Sequence, residues 1–160
     1  MFFVSAAVLY GLFFVLCVLG TGTDEKNLKS FASYPDKIQG LVRLRPSAAA
    51  KIKTKSAGQS FVSNLVLFTV LLLVFSLPVR TGDFMYNFLQ LLILGEGLNL
   101  FDLLVIDLCW WRNTKRIRFD FIEAEPELYK DPKNHIKAFL RALPLFLLVA
   151  LLDGFILTLF

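Results

Sequence analysis

Histidine occurs once in this 160-residue chain and cysteine twice, and no C-x-x-C pair is present. Those counts leave no ligand set at the spacing of a structural zinc site. The G-x-S-x-G, Walker and G-x-G-x-x-G patterns are missing too, so no nucleophile elbow or phosphate-cradling loop can be read. Charge is scarce: 19% of residues are Asp, Glu, Lys or Arg, against ~25% in soluble domains. None of them falls between Met1 and Thr23, or between Ser56 and Val79. These runs also lack alternation over ~10 residues, which excludes a membrane β-barrel.

The space is taken by apolar side chains, 56% of the chain with 17 phenylalanines and a mean hydropathy of +0.64. A soluble domain this small cannot hide so much apolar surface. Four stretches read as transmembrane helices, at about residues 2–19, 61–79, 84–111 and 138–160. Each suits a hydrocarbon layer ~30 Å thick at ~1.5 Å per residue. The expected fold class is therefore all-α: one polytopic membrane domain, a four-helix transmembrane bundle, with loops at about 20–60 and 112–137.

Lys and Arg set the orientation. The first loop carries eight, the short second connection one, the third loop seven. By the positive-inside rule the first and third loops are cytoplasmic, and both termini lie on the non-cytoplasmic side of a cell membrane. A cleaved signal peptide is the alternative for the first stretch. Nothing basic precedes it, however, and the basic block follows it, which favours an anchor.

The loops carry their own signals. Thr23 is placed to cap a helix, with Asp24 and Glu25 in its first turn. Leu28, Phe31 and Ala32 recur at helical spacing, which suggests a helix lying on the membrane surface. Lys51, Lys53 and Lys55 are expected to contact anionic headgroups at ~1 kcal/mol per charge, beyond their part in setting topology. Trp110, Trp111 and Arg112 form an interfacial anchor. Ile117, Phe119 and Phe121 alternate with Arg118 and Asp120, as in a short strand or extended segment. Asp131-Pro132 opens a helix. His135, beside Glu123, Glu125 and Glu127, lacks metal-ligand spacing and is expected to be solvated. Cys17 and Cys109 read as small apolar residues. The pI of 9.2 arises in the two loops, and so points to lipid before nucleic acid. No metal or cofactor is expected.

Acids enter only the last two spans. Glu96 lies twelve residues after Phe84, about 18 Å along a helix and so near the midplane. Counted at ~3.6 residues per turn, Glu96, Asn99, Leu100, Leu103 and Asp107 share one stripe. Gly95 and Gly97 invite close approach of a neighbour. Asp153 stands in the fourth span. No base lies at the depth of Glu96 or Asp153, so each carboxylate is neutral, meets water, holds a cation, or pairs with a base from another subunit. Asp107 and Arg141, both near the cytoplasmic end, are expected to pair, with Arg141 otherwise snorkelling to the interface.

Intramembrane acids mark proton and cation paths. The leading expectation is a small transport component, permease-like or coupled to protons or cations, with Glu96, Asn99 and Asp153 as its polar site. Four spans leave little room for a path, which suggests a homo-oligomer or a partner membrane subunit. A structural or assembly subunit without chemistry is the alternative. A lipid-modifying enzyme using Glu123 to His135 ranks third, since no nucleophile–base constellation is visible. The topology has a direct check: single cysteines placed at Ser33 and Thr81 are expected to label from opposite sides of the membrane, and labelling from one side defeats the four-span reading.

Overall fold

Capping chemistry marks where the helices begin. Ser56 accepts from the Gln59 amide at 3.1 Å while the Gln59 side chain accepts from the Ser56 amide at 3.1 Å, a reciprocal capping box. Thr23 accepts from the Lys26 amide as its position suggests. Asp83 accepts from the Tyr86 amide at 2.6 Å, and Asp131 from the Lys133 amide at 3.0 Å. The computed structural model describes residues 1–53, 55–122 and 125–159. Its helices are α1 (Phe2–Leu19), α2 (Asp24–Lys29), α3 (Asp36–Arg43), α4 (Pro46–Ala49), α5 (Ala57–Ser76), α6 (Phe84–Phe101) and α7 (Lys133–Thr158). Among the described residues there is no strand, and four helical stretches are long and apolar enough to cross a membrane.

The third of these stretches changes its winding partway. Beyond Phe101 the chain runs on as a π-helix, Asp102–Trp111, with hydrogen bonds from i to i+5 in place of i+4. Ten residues is long for a form usually seen as a single-turn bulge. The count of ~3.6 residues per turn therefore stops at Phe101, and a stripe drawn on to Leu103 and Asp107 loses its basis. Asn113 closes the segment by donating to the Cys109 carbonyl at 2.6 Å.

The described chain divides into two compact units. The first comprises Met1–Phe13, Lys55–Phe101 and Phe139–Phe160. Its core is aliphatic, built on Leu9, Leu72, Leu91, Leu94, Leu98 and Val149, with Phe146 against Phe68 at 4.7 Å. Glycine lets the helices close in. A Cβ at Gly154 would stand 3.1 Å from the Phe88 Cα, backbone against backbone, and one at Gly95 would meet Phe146 at 2.7 Å.

The second unit comprises Phe14–Thr54 and Asp102–Ala138. Here the two long loops share one core: Leu28, Phe31, Tyr34, Ile38 and Val42 from the first pack with Ile117, Phe119 and Tyr129 from the third. The apolar face of α2 is thus used inside the protein. Leu28 and Phe31 are each 6% exposed, so the helix expected there forms, but these two side chains face the core and are not free to lie on lipid. The segment around Ile117 alternates in burial as expected, but it is not extended: it folds into turns, with the Arg118 amide donating to the Lys115 carbonyl at 3.1 Å and the Ile122 amide to the Phe119 carbonyl at 3.2 Å. Side chains and the Gly22 amide, which donates to the Arg116 carbonyl at 3.0 Å, satisfy other groups of its backbone. Asn27 donates to the carbonyls of Arg116 (3.0 Å) and Arg118 (3.3 Å), and the Tyr34 hydroxyl to that of Ile117 at 2.7 Å. The Phe119 amide donates to Tyr129 Oη and the Asp120 amide to Asp24 Oδ1. Burial pushes the Tyr34 hydroxyl well above the ordinary phenol range, with Tyr129 and Asp24 adding to the shift.

Asn27→Ala leaves the Arg118 carbonyl without a donor, while the Arg116 carbonyl keeps the Gly22 amide at 3.0 Å, and is expected to cost about 1–3 kcal/mol. The measurement is amide exchange of the full chain in detergent. Protection should fall over residues 115–120 and hold in α5; unchanged protection in both would show that Asn27 does not secure the segment.

Candidate functional site

Asn99 ties two helices of the first unit together. Its amide nitrogen donates to Glu96 Oε2 and to the Phe139 carbonyl, both at 3.3 Å, joining α6 to the start of the apolar part of α7. Asn99 is buried and Glu96 half-buried. The i, i+3 spacing read from the sequence is what lets the two meet on one helix face. Tyr10 of α1 donates to the Leu94 carbonyl at 3.1 Å and stacks on Phe101 at 5.3 Å. A methyl group at Gly97 would collide with its hydroxyl, so Gly97 is the opening that admits Tyr10. Small residues in the span signalled a close neighbour, but nothing in the sequence named Tyr10.

Asp153 is different in kind. It is 0% exposed, and neither carboxylate oxygen has a hydrogen-bond partner. The ion pairs among the described residues are Lys130–Glu127, Lys133–Asp36 and His135–Asp107, and none reaches Asp153 or Glu96. An ionised carboxylate in such a place is a bare charge among hydrocarbon side chains. No hydrogen bond among the described residues ties Asp153 to Glu96 or Asn99, so these acids stand as two separate polar points.

In the second unit the group that meets Asp107 is His135, Nδ1 to Oδ1 at 2.8 Å. His135 is 5% exposed, not solvated, and its ring stands edge-on to Trp111 at 5.4 Å. Its Nε2 is buried without a partner, as is the Trp111 Nε1. The sequence hid this pair because the two residues lie on separate segments, twenty-eight positions apart, and a lone histidine beside acids reads as surface. Arg141 is exposed on α7. No cluster of three or more His, Cys, Asp or Glu able to hold a metal ion occurs among the described residues.

The interfacial residues separate as well. Trp111 lies in the core, 6% exposed and edge-on to Tyr34, while the half-buried Trp110 meets Phe14 at 5.8 Å. Arg112 is half-buried; Lys51, Lys53 and Lys55 are exposed. Glu125 and Glu127 are exposed, with Glu127 bonded to Lys130 at 2.6 Å, and Glu123 lies outside the described residues. Asn134 donates to Asp36 at 3.2 Å. That bond, aided by Lys133 and Lys137, holds the Asp36 carboxyl below its ordinary range.

Asp107→Leu strips a buried imidazole N–H of its acceptor and is expected to cost about 1–3 kcal/mol; adding His135→Leu removes both polar partners and should recover part of it. Thermal unfolding of the three variants checks this, and strictly additive losses would show that the two side chains do not depend on each other. No family model, no curated protein and no solved structure matches this chain.

Proposed function

We propose that the chain is a small transport component of a cell membrane, with cytoplasmic loops and external termini, that handles protons or small cations at intramembrane carboxyl groups. The observation that carries this reading is Asp153, fully buried with both oxygens unpartnered. A carboxyl group without hydrogen bond or counter-charge contributes nothing to packing that an apolar residue would not do better. Intramembrane acids of this sort are the usual elements of ion and proton pathways. Glu96 supports the same reading at a second point, since Asn99 can stabilise it with or without its proton. The bare apolar helices suit work as a homo-oligomer or beside a partner subunit: only 6% of the α1 window and 11% of the α5 window are buried. That bareness also favours the second reading, an assembly subunit whose exposed helices seat other chains. Enzymatic work on lipids ranks behind both, because the Nε2 of His135 is buried and meets no nucleophile, and no group able to hold a metal ion stands among the described residues.

Flux into proteoliposomes separates the readings. With a potassium diffusion potential applied, the purified chain should admit protons or sodium faster than protein-free vesicles. Asp153→Asn and Glu96→Gln keep the shape of the neutral acid, and should fold normally while cutting the flux at least about tenfold, as expected when a carrying group is lost. Wild-type vesicles no leakier than empty ones for either ion would overturn transport by this chain and leave the assembly reading.

A further inference from the structure

Two clefts open beside each other on the second unit, sharing Arg45 and Phe121 in their walls. The first, of about 220 Å³, carries both signs of charge: Asp24 and Glu25 from the first turn of α2, and Arg45, Ser47 and Lys51 from around α4. The second, of about 320 Å³, has Leu41, Leu44, Phe121 and Ile122 beside Arg45 as its walls, and its open surface is more polar than apolar. Leu44 is 77% exposed, an apolar side chain held out between two arginines. Lipid-ordering contacts of this type, an apolar residue flanked by bases, are what an interfacial protein surface presents.

The charges on the first rim are not spent on one another. No ion pair among the described residues uses Glu25, Arg45 or Lys51. The Asp24 carboxylate is fixed by the Asp120 amide, which donates to one of its oxygens at 3.0 Å, leaving the other for a ligand. Cations and anions held apart around one small opening complement a ligand with both charges a few bonds apart. The opening is small beside the ~300–1,000 Å³ that drug-sized ligands take, which suits a headgroup.

We propose that these clefts bind one molecule of phosphatidylethanolamine. Its phosphate rests on Arg45, Lys51 and the Ser47 hydroxyl, its primary ammonium donates to Asp24 and Glu25, and its glyceryl and first acyl carbons cover Leu44, Leu41 and Phe121. Charge-assisted hydrogen bonds act at both ends of the headgroup. A choline headgroup has no N–H to give the carboxylates. A glycerol headgroup puts a net negative lipid beside two acids with nothing to neutralise them. The site stands apart from the transport reading and depends on none of its residues.

Native mass spectrometry of the full chain in detergent tests it, with phosphatidylethanolamine, phosphatidylglycerol and phosphatidylcholine of identical acyl chains, glycerophosphoethanolamine and inorganic phosphate as probes. Phosphatidylethanolamine should bind about fivefold or more tighter than the other two lipids, the scale of one charge-assisted hydrogen bond. Glu25→Gln should remove that preference without weakening phosphatidylglycerol. Arg45→Gln should weaken every phospholipid, with Arg45→Lys restoring most of the loss. Leu44→Ser should weaken the lipid and leave glycerophosphoethanolamine unchanged. All three positions are exposed, so these variants keep the core intact. Equal binding of the three lipids, or a preference for phosphatidylglycerol, would reduce the rim to a general basic surface and overturn the proposal. Inorganic phosphate or glycerophosphoethanolamine binding as tightly as the whole lipid would overturn it equally.

Discussion

The side chain of Asn27 fastens the turns of the third loop to the first loop. The carbonyls and amides that turns leave unpaired must find partners elsewhere, and among the described residues no strand neighbours 116–120 to supply them. One carboxamide, fully buried, serves two of those carbonyls and also accepts from the Gly22 amide at 3.4 Å. With the segment fixed, Ile117 and Phe119 can turn inward onto Tyr34, whose ring centre is 4.8 Å from that of Phe119. Gly22, at φ of +102°, completes the turn beneath the Arg116 guanidinium, where a Cβ would come within 2.7 Å of its Nη2. Only glycine combines that backbone conformation with that approach. The aromatic core of the second unit follows from these few polar contacts.

The first unit obeys the opposite rule. Its helices meet through leucine, phenylalanine and glycine, with few polar side chains to specify the fit. Asn87 is one of them: it accepts from the Thr81 amide at 2.9 Å and donates to the Thr81 carbonyl at 2.7 Å, locking the turn before α6. Glu96 and Asn99 are another. Asp153 alone has a polar group and no use for it in packing. Among the described residues of that region, its two oxygens are the buried side-chain atoms left without a partner, and that isolation sets the residue apart.

The sequence made the helices legible because long apolar runs and missing charge follow directly from the cost of burying polar groups in hydrocarbon. Thr23 and Asp131 could be named as caps because capping is local. The Glu96–Asn99 contact was legible for the same reason, being three residues apart on one helix. What could not be read are the contacts made across the chain. Nothing in the residues around Leu28 says whether its apolar face meets lipid or Ile117, since both environments reward the same side chain. Trp111 is ambiguous in the same way, equally suited to an interface and to a core. His135 and Asp107 lie on separate segments, and the π-helical winding between Asp102 and Trp111 has no compositional mark.

The shared core of the second unit also sets a timetable for synthesis. Asn27 and the Arg118 carbonyl it serves are 91 positions apart, and α5 and α6 must be made between them. At ~5–20 residues per second, the first loop waits about 5–18 seconds after its own synthesis before its partner exists. During that interval Leu28, Phe31, Ile38 and Val42 have no core to enter, while the bases around them keep the segment in solution or at the headgroups. The nascent first loop is therefore a client for whatever shields apolar surface, and its protection ends only when the third loop emerges.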